Sequence, residues 1–323
     1  MKEIVISKEN SNQRIDKFVR KYLNDAPLSF IYKTFRKKDV KVNGHWQDPS
    51  YILQPEDVVR IYVTDEQIKD FNKPRNIEDI KFNLDIIYED KNVLIVNKPK
   101  GILVYGDINE KRITLTNKVQ AYLYSKKEFL NDGTSFNPSP VHRLDRNTSG
   151  IMVFAKNFLT CQSFYELLKK KEEIEKHYLV LVLGDTPSSG KINLPLYKDM
   201  SSGMVNVVPI ANGGKESLTE YVKIGGNGTY SLLKVNLITG RTHQIRAHFK
   251  AIGFPVLGDG KYGDFKENRY FKDRFKYDSQ FLHAYTIQFK NMEGDLSYLS
   301  NKEFIAPLPK EEASILKALN IKY

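Results

Sequence analysis

The change in hydrophobic pattern along the chain constrains its fold more than any other feature. Near the N-terminus apolar residues recur at helical spacing, whereas in the second part they form short β-branched runs. Between the two, residues 64–83 are rich in charge and asparagine and lack a sustained apolar period. The 323 residues also exceed the roughly 100–200 residues of an average domain. We therefore predict a small N-terminal domain (residues 1–75), a linker (76–84) and a larger domain (85–323).

The N-terminal part has the pattern of two helices followed by strands. The first predicted helix has one apolar face, formed by Ile15, Phe18, Val19, Tyr22 and Leu23. A second helix is predicted after Pro27, and residues 40–42 and 58–63 predict strands. Asn43 and Gly44 are typical of the turn between strands because both residues tolerate positive φ. These elements predict a small domain with its own core.

Basic residues gather on the second helix and the strand after it. This basic cluster consists of Lys33, Arg36, Lys37, Lys38 and Lys41. The whole chain carries a net charge of +11, which attracts polyanions and favours a nucleic-acid partner. Cations at a helix C-terminus also complement the helix dipole, so the cluster alone is equally compatible with a solvated helix end. The charge therefore indicates a class of partner and no particular role.

The second part alternates strands and helices without a regular βαβ rhythm. The predicted strands are residues 94–96, 151–154 and 178–183, and the predicted helices are residues 158–170 and 242–252. Such an order is typical of helices packed on a largely antiparallel sheet. We predict an α+β fold with a mainly antiparallel mixed sheet.

Several classes of protein do not fit the composition. No run approaches the roughly 18 apolar residues of a membrane helix, and no secretory signal is indicated. Cys161 is the only cysteine, which excludes an internal disulfide and a cysteine-based zinc site. His243 and His248 do not share a helix face well, and no glycine loop is typical of phosphate binding. We expect a cytoplasmic monomer that uses no metal or cofactor and binds no membrane.

The polar segment that ends at Gly150 is the best candidate for a functional site. Residues 142–150 place Asp145 between Arg143 and Arg146, directly before a predicted strand. A polar loop held by a buried strand is a common way to present a site. On the residue types alone, a surface turn held by Asn, Ser and Thr hydrogen bonds is the more common use of such a segment.

The same segment resembles the signature of the RluA-type pseudouridine synthases. Further segments match that family in order, at residues 97–101, 176–179, 240–248, 258–263 and 282–284. The resemblance implies the pseudouridine synthase fold and the isomerisation of uridine to pseudouridine in RNA. An N-terminal RNA-binding module, described next, and residues 281–284 are similar to the RluC- and RluD-like branch, which implies large-subunit ribosomal RNA or its assembly intermediate as the partner. Residues 176–178 and 195–196 are more similar to the RluC type.

The N-terminal part resembles the αL RNA-binding module named after a small-subunit ribosomal protein. The match covers residues 14–18, the basic second helix, residues 40–44 and residues 55–59. In that module the basic helix and the following turn contact the RNA backbone. The resemblance therefore implies that the basic cluster binds RNA.

The resemblance assigns roles to four residues of the second part. It implies that Asp145 is the catalytic aspartate, that Tyr178 stacks beside the target base and that Arg246 pairs with the catalytic carboxylate. An arginine nearby favours the charged carboxylate, and a tyrosine offers both a ring face and a hydroxyl. Arg143 is implied to open the RNA stack, since a guanidinium both stacks on bases and donates to phosphates.

Three other functions stay open. A glycosidase or nucleobase hydrolase normally needs a second carboxylate, which the motif lacks. The others are a tRNA-directed synthase of the same family and a non-catalytic RNA-binding ribosome-assembly factor. Two residues depart from the family pattern, Tyr105 in place of histidine and Asn147 in place of aspartate. These departures prevent a transfer of detailed substrate contacts.

Overall fold

A computed structural model describes residues 1–7, 10–71, 77–106, 113–129, 136–170 and 173–322. The elements of the N-terminal part are, in chain order, β1 (Lys2–Val5), α1 (Ile15–Tyr22), α2 (Leu28–Arg36), β2 (Val40–Val42), β3 (His45–Trp46), β4 (Val58–Ile61) and α3 (Asp65–Phe71). The two predicted helices and the predicted strands are therefore present.

The N-terminal strands form an antiparallel sheet in the order β1-β4-β2-β3. Asn43 (φ 50°) and Gly44 (φ 83°) lie between β2 and β3 with positive φ, as the turn prediction requires. The apolar face predicted for α1 is buried, and α2 adds Ile31 and Phe35 to the same core. Among the described residues, this core contains side chains from Ile4 to Phe71 and none from the second part.

The helix α3 lies in the segment of residues 64–83, for which the sequence predicted no regular element. Ile68 and Phe71 of this helix pack against the N-terminal core, and two apolar contacts in seven residues are too few to give a visible period. Residues 72–76, which include the start of the predicted linker, lie outside the described ranges. The domain boundaries therefore stay a prediction.

The second part contains more strands than helices. Its elements are β5 (Asp85–Glu89), β6 (Val93–Lys98), α4 (Leu115–Ser125), β7 (Ser139–Pro140), β8 (Ser149–Ala155), α5 (Phe158–Lys169), β9 (Ile174–Leu183), β10 (Ser189–Asn193), β11 (Leu196–Lys198), β12 (Val205–Val207), β13 (Leu218–Gly226), β14 (Tyr230–Leu237), α6 (Gln244–Ala251), α7 (Phe265–Phe275), β15 (Leu282–Phe289), β16 (Glu303–Ile305) and α8 (Lys310–Ala318). The predicted strands lie within β6, β8 and β9, and the predicted helices correspond to α5 and α6.

A large mixed sheet organises this part, with the strand order β10-β13-β14-β9-β15-β8-β6-β5. In addition, β7 pairs with β8 and β16 pairs with β15. The pairing of β15 with β8 is parallel, and the other pairings of described strands in this sheet are antiparallel. The arrangement confirms the predicted α+β class with a mainly antiparallel mixed sheet.

The central strands are buried on both faces, which explains their continuous apolar runs. Along β8, Met152 and Phe154 face one core, where Ile245 and Phe249 of α6 also pack. The alternate residues of β8 face a second core that includes Phe164 of α5. The loop before β8 therefore lies at one end of a rigid central strand. No helix in the described ranges is both long enough and apolar enough to cross a membrane.

Candidate active site

The loop that carries Asp145 is fixed by backbone hydrogen bonds on both sides. The Thr148 N–H donates to the carbonyl of Asp145 (3.1 Å), and the Gly101 N–H donates to the carbonyl of Arg146 (3.0 Å). At the start of β8, Gly150 has φ 109°, and a Cβ there would lie 2.1 Å from the carbonyl oxygen of Ala284 on β15. Only glycine permits this close approach of β8 and β15.

The Lys98 side chain packs against the same loop from the buried side. Its side chain is fully buried (0% exposed), and its Nζ donates to the carbonyls of Pro99, Ile102 and Arg146, each at 2.9 Å. Burial lowers the pKa of Lys98 to about 7, against the opposing effect of the Asp145 charge. The lysine therefore ties the turn after β6 to the loop that presents Asp145.

Arg246, on α6, joins two carboxylates. Its Nη1 donates to Oδ2 of Asp145 at 2.8 Å, while its Nε and Nη2 donate to the two oxygens of Asp259 at 2.6 and 2.8 Å. Burial alone lowers the pKa of Arg246, but the hydrogen bonds and charge of Asp259, together with Asp145, raise it above its ordinary value. The structure places Arg246 beside Asp145, and the catalytic role of the pair stays a prediction.

Asp259 is a site residue that the sequence reasoning did not assign. It is 0% exposed, and one of its oxygens also accepts the backbone N–H groups of Lys261 and Tyr262. Burial raises its pKa, but the Arg246 hydrogen bonds outweigh burial and lower it below its ordinary value. The signal in the sequence was the matched segment at residues 258–263, for which no role was inferred.

His243 approaches the same oxygen of Asp145 that Arg246 binds. Its Nε2 lies 3.8 Å from Oδ2 of Asp145, and its Nδ1 shares a hydrogen bond of 2.9 Å with Oη of Tyr262. That hydroxyl in turn accepts the Val205 N–H at 2.8 Å. Burial lowers the pKa of His243, although the Asp145 charge acts in the opposite direction. The imidazole is therefore held in place beside the carboxylate.

Asp145, Tyr178, His243 and Arg246 line one cleft of about 510 Å³, whose mouth includes the exposed Arg143. Tyr178 is 5% exposed, and burial together with the Asp145 charge raises the pKa of its hydroxyl. Asp145 keeps 20% of its side chain exposed. Asp145 is therefore accessible from the cleft.

Comparisons with known proteins assign the family. The family described as RNA pseudouridylate synthase matches residues 92–251. The chain is 34% identical to an uncharacterized RNA pseudouridine synthase of Mycoplasma capricolum, over 94% of this chain and 97% of that protein. The chain belongs to the RNA pseudouridine synthases. It is also 33% identical to the ribosomal large subunit pseudouridine synthase C of Pasteurella multocida, over 99% of this chain and 94% of that protein.

A solved structure supports the fold of this synthase. Human RNA pseudouridylate synthase domain containing 4 superimposes with a TM-score of 0.59 at 22% identity, over 74% of this chain and 94% of that chain. This likeness and the family membership confirm the predicted pseudouridine synthase fold. The enzyme is therefore an isomerase that acts on uridine in RNA.

The cleft of the synthase brings together four of the predicted residues and leaves out the others. Asp145, Tyr178, Arg246 and Arg143 line it, whereas the basic cluster lies on α2, on the two residues after it and on β2 of the N-terminal part. Within that cluster, Lys38 lies over the ring of Trp46 (5.7 Å). The RNA-binding role of the cluster stays a prediction.

The charges in the cleft of the synthase bear on the hydrolase alternative. Among the described residues that line the cleft, only Asp145 has a carboxylate. Asp259 is fully buried behind Arg246 and does not face the cleft. A two-carboxylate hydrolytic mechanism therefore finds no second acid in this part of the structure.

Proposed function

We propose that this enzyme isomerises uridines in large-subunit ribosomal RNA, in the cytoplasm and as a monomer without a cofactor, with Asp145 as its catalytic carboxylate. The observation that carries the proposal is the 2.8 Å contact between Asp145 and Arg246 in a cleft that Tyr178 also lines. A guanidinium fixed at this distance orients the carboxylate through a charge-assisted hydrogen bond, which suits a nucleophile or base.

The proposed reaction gives a role to Tyr178 and to Arg246 beside Asp145. Isomerisation breaks the bond between N1 of uracil and C1′ of ribose and forms a bond from C5 to C1′, with the C5 proton lost and N1 protonated. The change is neutral in electrons, so it needs no oxidant or reductant. In the proposed reaction the ring face of Tyr178 contacts the uracil, and Arg246, 2.8 Å from Asp145, directs its carboxylate towards the sugar and base.

The choice of RNA rests on two features. The Pasteurella multocida relative is named for the ribosomal large subunit and matches nearly the whole chain. The basic cluster lies on a separately packed N-terminal unit, which we propose to be the αL-type RNA-binding domain of residues 1–75. An additional binding domain suits a large structured RNA because it adds phosphate contacts away from the reacting base.

The experiment is a map of pseudouridines in ribosomal and transfer RNA from cells with and without the gene. We expect loss of pseudouridine from large-subunit ribosomal RNA, restored by the wild-type protein and by Asp273→Asn, a control at an exposed aspartate of α7. Asp145→Asn should bind RNA and restore nothing. Loss confined to transfer RNA would establish the tRNA-directed alternative, and restoration by Asp145→Asn would refute a catalytic role for Asp145.

A further inference from the structure

A second cavity, of about 870 Å³, adjoins the cleft of Asp145. It shares Arg143, Tyr178 and Arg241 with that cleft, so the two spaces meet at the Tyr178 side chain. None of the described residues that line it has a carboxylate. Three of them are cationic: Arg143, Lys176 and Arg241.

Lys176 reaches this cavity because of its position on β9. It lies two residues before Tyr178, and alternate residues of a strand point to the same face of a sheet. Both side chains therefore face the side of the sheet where the cleft lies. Lys176 is partly buried, and burial lowers its pKa below the ordinary value.

The described part of the chain provides no hydrogen bond or ion pair to the Lys176 ammonium. A desolvated cation without a partner costs free energy, and two arginines on the same cavity add repulsion. The neighbouring His142 supplies no negative charge, because an imidazole is either neutral or cationic, and its Nε2 accepts the Val153 N–H at 3.3 Å. The cavity therefore has the charge and the vacant donors of an anion site.

We propose that Lys176, together with Arg143 and Arg241, binds a phosphodiester of the RNA strand that carries the target uridine. The proposal rests on the proposed function, because it places the reacting base in the adjoining cleft. An RNA strand brings one phosphate on each side of every base, and the cavity begins at the residue that contacts that base. The site anchors the backbone while the base occupies the cleft, which lowers the cost of holding the nucleotide out of its stack.

The test measures binding and uses a matched pair of lysine variants. Lys176→Met removes the charge, Lys176→Arg keeps it, and Lys234→Met is the control. Lys234 is also partly buried, but it lies on the opposite face of the sheet, since Leu233 and Val235 face the core on the Tyr178 side. The probe is an RNA oligonucleotide with a mapped target uridine, made with phosphodiesters throughout or with one neutral methylphosphonate beside that uridine.

We expect Lys176→Met to raise the Kd about 10-fold or more, as for the loss of a hydrogen bond between charged groups. The slope of log K against log salt should fall by roughly 0.7–0.9, which corresponds to one phosphate contact. The methylphosphonate at the contacted linkage should weaken wild-type binding by a similar factor and Lys176→Met very little, because both changes remove one interaction. Lys176→Arg and Lys234→Met should bind as the wild type does.

An unchanged Kd and salt slope in Lys176→Met would overturn the proposal, and so would a methylphosphonate penalty that is equally large in that variant. Thermal unfolding of each variant checks that the fold is kept. If Lys176→Met does not fold, the methylphosphonate series on the wild type still decides, since no sensitive linkage beside the uridine means no phosphate site. Binding is measured without turnover, so a wild-type protein that binds but forms no pseudouridine contradicts only the proposed function.

Discussion

Arg246 holds Asp145 through its Nη1 at 2.8 Å, while its other two nitrogens donate to Asp259. The guanidinium therefore does not move freely towards the cleft, because Asp259 fixes it from the buried side. The orientation of the Asp145 carboxylate therefore depends on α6, which carries Arg246, and on the segment that carries Asp259. A planar fork with several donors is necessary for such a bridge.

Replacement of Arg246 by lysine should separate charge from geometry. A lysine ammonium keeps the positive charge but cannot donate in a fixed fork to two carboxylates. We expect kcat to fall by about 10²–10³, the range for loss of a positioned charged group at an active site. Rates of pseudouridine formation under single turnover are the measurement. Arg274→Lys, at an exposed arginine of α7, is the control and should keep wild-type rates. Wild-type kcat in Arg246→Lys would contradict this role.

Two glycines with positive φ make a matched pair for stability. Gly150 has φ 109° and no room for a Cβ beside Ala284, whereas Gly101 has φ 82° and open space around it. Gly101→Ala should cost about 1 kcal/mol of unfolding free energy, from backbone strain alone. Gly150→Ala should cost more than about 3 kcal/mol, since β8 and β15 have to separate as well. Urea unfolding measures both, and equal losses would argue against the close approach of the two strands.

Features that depend on contacts between residues near in sequence could be predicted, whereas features that depend on contacts between distant segments could not. The buried face of α1, with Phe18 at its centre, follows from a local helical period and is confirmed. Lys98 directly precedes a turn that contains Pro99 and Gly101, a position typical of an exposed lysine, but tertiary packing places its ammonium against the loop of Asp145. The bond between Arg246 and Asp259 likewise depends on tertiary packing. Such contacts leave no periodic signal, so only the family resemblance pointed to their segments.

Arg143 should matter most when the target uridine is paired. Its guanidinium is exposed at the mouth of the cleft, and the described residues give it no hydrogen bond. Stacking into the gap left by the base offsets the unstacking cost of a few kcal/mol only where a stack exists. We expect Arg143→Ala to lower the rate about 10-fold more on a duplexed substrate than on a single-stranded one. Arg269→Ala, at an exposed arginine of α7, is the control. Equal losses on both substrates would refute this role.

Lys98 gives the enzyme a pH-dependent stability that one substitution should remove. The pKa of Lys98 is lowered by burial from an ordinary 10.5 to about 7. Between these values the unfolded chain binds more protons at this site than the folded chain, so the free energy of unfolding rises with pH. The rise from about pH 7 to pH 10 should reach a few kcal/mol in the wild type.

Lys98→Met lacks the titrating group, and its curve should lack that rise. The substitution also leaves the carbonyls of Pro99 and Ile102 without the Nζ donor, which should loosen the loop of Asp145 and lower kcat. Urea unfolding from pH 6 to pH 10 measures the difference between the two curves, which isolates Lys98 from the other titrating groups. Lys234→Met controls for the loss of one lysine and should keep the rise. If the free energy of unfolding changed with pH in the same way in wild type and Lys98→Met, the prediction would be contradicted. The three hydrogen bonds to carbonyls would then offset the full desolvation penalty of the Lys98 ammonium at neutral pH.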